Sequence, residues 1–198
     1  MPRATVDSKS FTKAIKAVSR FVNTSRERSA YIHLVFIGGS MYTYACDGYR
    51  AAEGCAPCIE CDGDLTGDFT AYINVPRILP LGKKECLVEI VLEDGVCTVS
   101  FDGISMRTKQ PDIEDQLNLK EIIDDSCEKA SQKFGLNVNY MLDAIRSLKE
   151  SGAAVDRNPL IVEFSGPLSP VVLRGQRGGR SIVLPVRLMQ EDTRHAKT

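Results

Sequence analysis

Residues 8–22 place apolar side chains at Phe11, Ala14, Ile15, Val18, Phe21 and Val22, the i, i+3, i+4, i+7 spacing of a core-facing helix. Lys9, Lys13, Lys16 and Arg20 recur at the same period. At about 100° per residue their mean direction lies roughly 170° from the apolar six. The helix therefore has a greasy face and a purely cationic one, with no acid inside it. Asp7 stands just ahead, where a carboxylate caps the first turn and favours its positive end. A strand meander follows. Residues 31–37 (YIHLVFI) are apolar and β-prone, Gly38-Gly39 is a turn, 41–46 (MYTYAC) form a second strand, and Asp47-Gly48 reads as a tight hairpin before 49–53.

The pattern repeats. Shifting MYTYACDGYR (41–50) by 55 onto VCTVSFDGIS (96–105) lays Thr43 on Thr98 and Asp47-Gly48 on Asp102-Gly103. Ahead of this second meander, 74–84 (NVPRILPLGKK) is a short helix candidate with Pro76 in its first turn and Pro80 shortening it. A shift of 63 lays NVNYML (137–142) on NVPRIL (74–79), opening a third helix with apolar Val138, Met141, Leu142, Ile145 and Leu148. Strand candidates at 160–164, 171–174 and 181–186 follow. Each unit reads strand–helix–three strands, with bounds near 1–60, 61–125 and 126–188. Residues 124–132 (DDSCEKASQ) are polar and aperiodic and read as a linker, and MQEDTRHAKT at the end reads as a fraying tail.

Composition narrows the class. The 198 residues are 43% hydrophobic and carry a formal charge of −1, so a core is available but no global basic field is. No run of about 18 apolar residues occurs and the start lacks an apolar signal core, which predicts a cytoplasmic protein with no membrane partner. Seven cysteines, an odd number, read as thiols in a reducing compartment.

Three blocks carry a resemblance. TYACDGYRAAEGCAP (43–57) is similar to the strand–Asp-Gly–aromatic–Arg segment in the middle domain of the bacterial DNA polymerase III β subunit family, the sliding clamps. FGLNVNYMLDAIRSLK (134–149) resembles the opening of the second half of that family's last domain, and PLSPVVLR with SIVLPVRL (167–174, 181–188) resembles its final strands. The resemblance implies an α+β DNA-clamp-like fold of half-domain repeats, sheets outside and helices on one face. It divides this chain into 1–125, similar to a whole middle domain, and 126–198, the second half of a last domain plus a polar tail. Clamp chains have six halves and this one has three. A ring of twelve halves would need four chains, and a dimer sharing one domain made from a half of each chain is an alternative.

The resemblance also implies function: a non-catalytic processivity factor, associated with DNA polymerase III, that contacts duplex DNA without reading sequence. It would tether polymerase and other clamp-binding-motif proteins as a homo-oligomer, with a clamp loader as a further partner that the resemblance implies. A ringless adaptor for replication proteins is the alternative. Phosphate contacts hold any sequence and permit sliding. Lys9, Lys13, Lys16 and Arg20, with Arg77, Lys83, Lys84 and Arg146, are the DNA-facing candidates, although Asp143 and Glu150 offset Arg146 and Lys149. The family's peptide cleft maps on one side to Cys46, Gly48, Tyr49, Arg50 and Ala51, with Tyr31 or Ile32 at its base. The opposite wall maps to Leu168, Pro170, Val183, Leu184, Pro185, Val186 and Arg187. Aliphatic walls suit Leu or Phe anchors, and arginines can donate to peptide carbonyls or carboxylates. Ala51 replaces the usual leucine and Tyr49 a frequent histidine.

Other chemistry is thin. Cys55, Cys58 and Cys61 have metal-like spacing, with Cys86 a distant fourth, but no second CxxC or His pair completes a zinc signature, and no cofactor is called for. His33 lies in a strand pattern and His195 in the tail. GQRGG (175–179) is not followed by a helix, so it is a turn rather than a nucleotide cradle. No catalytic constellation is present.

Overall fold

The computed structural model describes residues 1–62, 68–75, 86–112, 116–128, 134–150, 160–176 and 178–187. The chain forms two compact units, Met1–Cys127 and Glu128–Thr198. Among the described residues no helix is long and apolar enough to cross a membrane.

Unit 1 begins with β1 (Arg3–Asp7) and α1 (Ser8–Val18), continued by a 3-10 turn over Ser19–Phe21. The expected helix 8–22 therefore tightens in its last turn. Then come β2 (Ile32–Ile37), β3 (Ser40–Cys46), the twelve-residue β4 (Ala51–Asp62) and β5 (Phe69–Ile73). The meander repeats as β6 (Leu87–Glu93), β7 (Val96–Phe101) and β8 (Ile104–Lys109). The helix expected over 74–84 lies almost wholly outside the described residues.

These eight strands form one sheet in the order β5-β2-β3-β4-β1-β6-β7-β8. The order has an internal logic. β1 opens the first repeat yet pairs with both β4 of its own repeat and β6 of the next. β5 opens the second repeat and pairs back on β2 of the first. Each repeat thus lends its first strand to the other, and the two halves complete one domain. The outer ends also meet. The Gln110 amide accepts from Tyr72 N at 2.8 Å and donates to Tyr72 O at 2.9 Å, linking the segment after β8 to β5.

α1 lies on one face of this sheet. Phe11, Ala14, Ile15 and Val18 join Ile32, Leu34, Phe36, Val88 and Ile90 in a single core with contributions from both repeats. The approach is close enough to require glycine. A Cβ on Gly54 of β4 would sit 2.7 Å from Ala14 O and 2.6 Å from Thr43 Oγ1, and the Thr43 hydroxyl itself donates to Ala14 O at 3.1 Å.

Two expectations change here. The polar stretch 124–132 does not begin as a linker, because its first residues continue α2 (Leu119–Glu128). The helix start lies earlier, where Asn118 Oδ1 accepts from Glu121 N and Asn118 Nδ2 donates to Glu121 Oε2, a reciprocal cap. Lys120 and Asp124 then pair one turn apart. Nor does Asp47-Gly48 make a two-residue turn. Cys46 pairs with Ala51, leaving a four-residue loop, whereas the matching Asp102-Gly103 is a two-residue turn with φ of 46° and 75°.

Unit 2 contains β9 (Gly135–Leu136), α3 (Val138–Glu150), β10 (Leu160–Glu163), β11 (Val171–Gly175), β12 (Arg180–Val183) and β13 (Pro185–Val186). The strand expected at 181–186 is broken at Leu184. β12 pairs with β11, and β13 pairs with β9. β4 does the same as one continuous strand, pairing first with β3 and then with β1. α3 is capped by Asn137, whose Oδ1 accepts from Asn139 N and Tyr140 N. Its core is small: Leu148, Val171, Leu173 and Val183 are buried. Most of the expected core stripe of α3 stays outside it, with Val138, Leu142 and Ile145 exposed.

Candidate functional site

The cationic face of α1 is formed as the spacing predicts. Asp7 Oδ1 accepts from Lys9 N at 3.1 Å and Ser10 N at 2.9 Å. Hydrogen bonding from Ser10 holds this carboxyl below its usual range, so it stays ionised at the helix's positive end. With the apolar residues buried, Lys9, Lys13, Lys16 and Arg20 are left exposed. Arg146 on α3 is exposed and paired with Asp143 at 3.4 Å. Arg77, Lys83 and Lys84 lie outside the described residues.

The 3-10 turn brings this face to the Asp47–Arg50 loop. Asp47 organises the loop: its Oδ1 accepts from Tyr49 N at 3.0 Å and Arg50 N at 3.1 Å, and its Oδ2 from Arg50 Nε at 2.8 Å. The Arg50 hydrogen bond is the main cause of its lowered pKa. The Arg50 guanidinium sits 4.9 Å from the Phe21 ring centroid, and Nη2 donates to Arg20 O at 3.4 Å. Arg50 therefore clamps the loop to the end of α1 with much of its donor capacity. Gly48 has φ of 91° and a Cβ there would sit 2.7 Å from the Arg26 guanidinium. Tyr49 is 88% exposed, with Arg26 over its ring at 5.7 Å. The loop is a pre-organised platform with an exposed aromatic ring.

Of the remaining cleft candidates in unit 1, Cys46 is half-buried, its Sγ 3.2 Å from Gly48 N, and Ala51 is exposed. Tyr31 is half-buried against the edge of Tyr72, and Ile32 is core. In unit 2, Leu168, at 72% exposure, and Leu184, at 67%, offer free apolar side chains, with Val186 and Pro170 also exposed. Pro185 is half-buried and Arg187 exposed. Val183 differs: it is buried opposite Val171 and belongs to the core of its unit.

A concavity in unit 1 escaped the sequence reading. It has about 500 Å³ and is lined by His33, Tyr44 and Tyr72 with Gln116 and Lys120 from the segment entering α2. Tyr44 and Cys46 lie two residues apart on β3, so this hollow opens on the side of the sheet that Cys46 faces. Burial pushes the His33 imidazole down to about 4, so it stays neutral, and its ring stands edge-on to Tyr72 at 4.8 Å. The side-chain amide of Gln116 is buried without a partner. Alternation of His33 with Val35 and of Tyr42 with Tyr44 was the available signal, but nothing local announced that α2 would close over it.

Cys55, Cys58 and Cys61 all lie along β4. Thr5 and Val6 pair with Glu60 and Cys58, so β4 bulges at Ile59. The Cys58 thiol hydrogen-bonds with that of Cys61, and burial is the main effect pushing it up to about 12, which keeps it protonated at neutral pH. Among the described residues no three His, Cys, Asp or Glu side chains converge as ligands.

In unit 1 two strand meanders form one sheet, each completed by the first strand of the other, with α1 packed on one face. The solved structures similar to this chain are DNA polymerase III β clamps. A Helicobacter pylori β clamp in complex with 5-chloroisatin matches with a TM-score of 0.65 at 14% identity, over 92% of this chain and 53% of that one. A putative β subunit from Eubacterium rectale matches with a TM-score of 0.70 at 10% identity, over 92% and 50%. The β subunit from Pseudomonas aeruginosa gives 0.64 at 12% identity, over 92% and 53%. A further Helicobacter pylori β clamp was solved bound to a DNA ligase peptide. The chain spans about half the length of these proteins. It has the clamp fold in shortened form. No family model matches its sequence, and no curated protein does.

Proposed function

We propose that this chain is a shortened sliding clamp: a non-catalytic, cytoplasmic accessory factor that contacts duplex DNA without sequence preference and tethers polymerase or repair proteins through short peptides. The Asp47–Arg50 platform carries the reading. It presents Tyr49 to solvent on a loop held by four hydrogen bonds from or to Asp47 and Arg50. Such rigid aromatic display costs little entropy on binding. Unit 2, taken by itself, exposes Leu168, Leu184 and Val186, aliphatic side chains of the kind that bury Leu or Phe anchors. α1 and the 3-10 turn that continues it supply four exposed cations and no carboxylate, the arrangement that neutralises phosphates along any sequence.

The test uses a fluorescent DNA ligase peptide of the kind bound to a Helicobacter pylori clamp, and a labelled duplex. Leu168→Asp and Tyr49→Ala should each weaken peptide binding about tenfold or more, with the fold intact by circular dichroism. Replacing Lys9, Lys13, Lys16 and Arg20 with Glu should abolish duplex binding and leave peptide binding alone. Peptide affinity indifferent to both cleft variants refutes the cleft. A ringless adaptor for replication proteins is the alternative, and it predicts peptide binding with no duplex retention at any salt concentration.

A further inference from the structure

Unit 1 shows how this fold completes itself. The first strand of one repeat inserts beside the second strand of the other, as β1 on β6 and β5 on β2, each through a five-pair antiparallel ladder. Unit 2 repeats one half. Among the described residues β9 pairs only with β13 and β10 only with β11, so the outer edges of both lack the neighbours that β1 and β2 have.

We propose that unit 2 is half a domain that a second copy of this chain completes about a two-fold axis, β9 of each copy pairing with β10 of the other. The resulting sheet would reproduce the unit 1 order with the two halves drawn from two chains. β10 (LIVE) has none of the lysine, proline or bulge devices that protect a free edge, and its only charge, Glu163, is already paired with Arg174 at 3.0 Å. The counterparts of its side chains on β2 and β6, Ile32, Leu34, Val88 and Ile90, are fully buried in unit 1. In unit 2, Val138, Leu142, Ile145, Val162 and Phe164, on the helix and core face, are 38–71% exposed. Covering them removes on the order of 400 Å² of apolar surface per copy, and the two strand edges add to this, towards the ~800 Å² per partner of a stable interface.

The repeat architecture carries this inference, which does not depend on DNA or peptide capture. A monomer that still binds peptide would overturn the assembly and leave the cleft standing.

Sedimentation equilibrium of the full chain should give an even multiple of 21.8 kDa at micromolar concentration. Backbone amides of 160–163 should then resist hydrogen exchange, and lose that protection on dilution. Val162 lies opposite Leu173, on the core face at the free edge. Val162→Asp should at least halve the mass with helical and strand content unchanged. Ile182→Asp, on the opposite face of the same sheet, should not alter it. A monomeric wild-type chain overturns the proposal, as does an assembly with unprotected 160–163 amides. So does a folded Val162→Asp chain of undiminished mass. Should that variant fail to fold, the exchange pattern of the wild type decides.

Discussion

Along α1, Phe11, Ala14, Ile15 and Val18 vanish into a core, whereas along α3 the equally spaced Val138, Leu142 and Ile145 stay in solvent and only Leu148 is buried. The helices have the same apolar rhythm and comparable caps in Asp7 and Asn137. What differs is the sheet beneath them. α1 rests on strands from two repeats, while α3 has the three strands of one. An amphipathic stripe states what a helix can bury, and the amount it does bury depends on how much sheet is available to cover it.

The sharpest way to break this comparison is to truncate one apolar stripe residue on each helix. Phe11→Ala should cost about 3–5 kcal/mol in chemical denaturation, because a fully buried ring leaves a cavity. Leu142→Ala in dilute protein should cost under ~1 kcal/mol, since its side chain already meets water. Equal losses would show that α3 buries its stripe after all.

Acid should also separate the units, through His33 in β2. Its folded-state pKa of about 4 lies below the unfolded value of 6.5, so between these values the unfolded chain binds the extra proton. Unit 1 should therefore lose on the order of 2–3 kcal/mol as pH falls from about 6.5 to about 4, and regain it on neutralisation. Urea unfolding across this range, with His33→Phe beside the wild type, measures the difference. A variant with the same acid slope would show that His33 is not its source.

The caps give the smallest effect. Asp7→Ala should lower stability by about 1 kcal/mol and Asn137→Ala by about the same or less, read from amide exchange in the first turn of each helix. A larger loss at Asn137 would mean that α3 depends on its cap more than α1 does, for want of packing.

Much of the meander was legible because turns and strands are local. Gly38-Gly39 takes positive φ at both residues, as the dipeptide predicts, and β2, β3 and β7 fall within a residue of their apolar runs. α2 was missed because its first turn, Asn118 to Glu121, is a polar cap with few apolar residues behind it. The site was legible in part. Asp47, Tyr49 and Arg50 were visible as residues, but their division of labour was not: Asp47 builds the loop, Arg50 fastens it to Phe21 and Arg20 O, and Tyr49 alone projects.

By itself the sequence determined the repeated meander, the cationic face of α1, the Asp7 cap and the Gly38-Gly39 turn, because dihedral preference and periodicity act over a few residues. Tertiary structure decided the rest. Asp47-Gly48 and Asp102-Gly103 are the same dipeptide, yet one opens a four-residue platform and the other closes a two-residue turn. Val183 and Leu184 are neighbours of similar size, and one is core while the other is surface. Burial belongs to whatever packs against a residue, and that partner is distant in the chain.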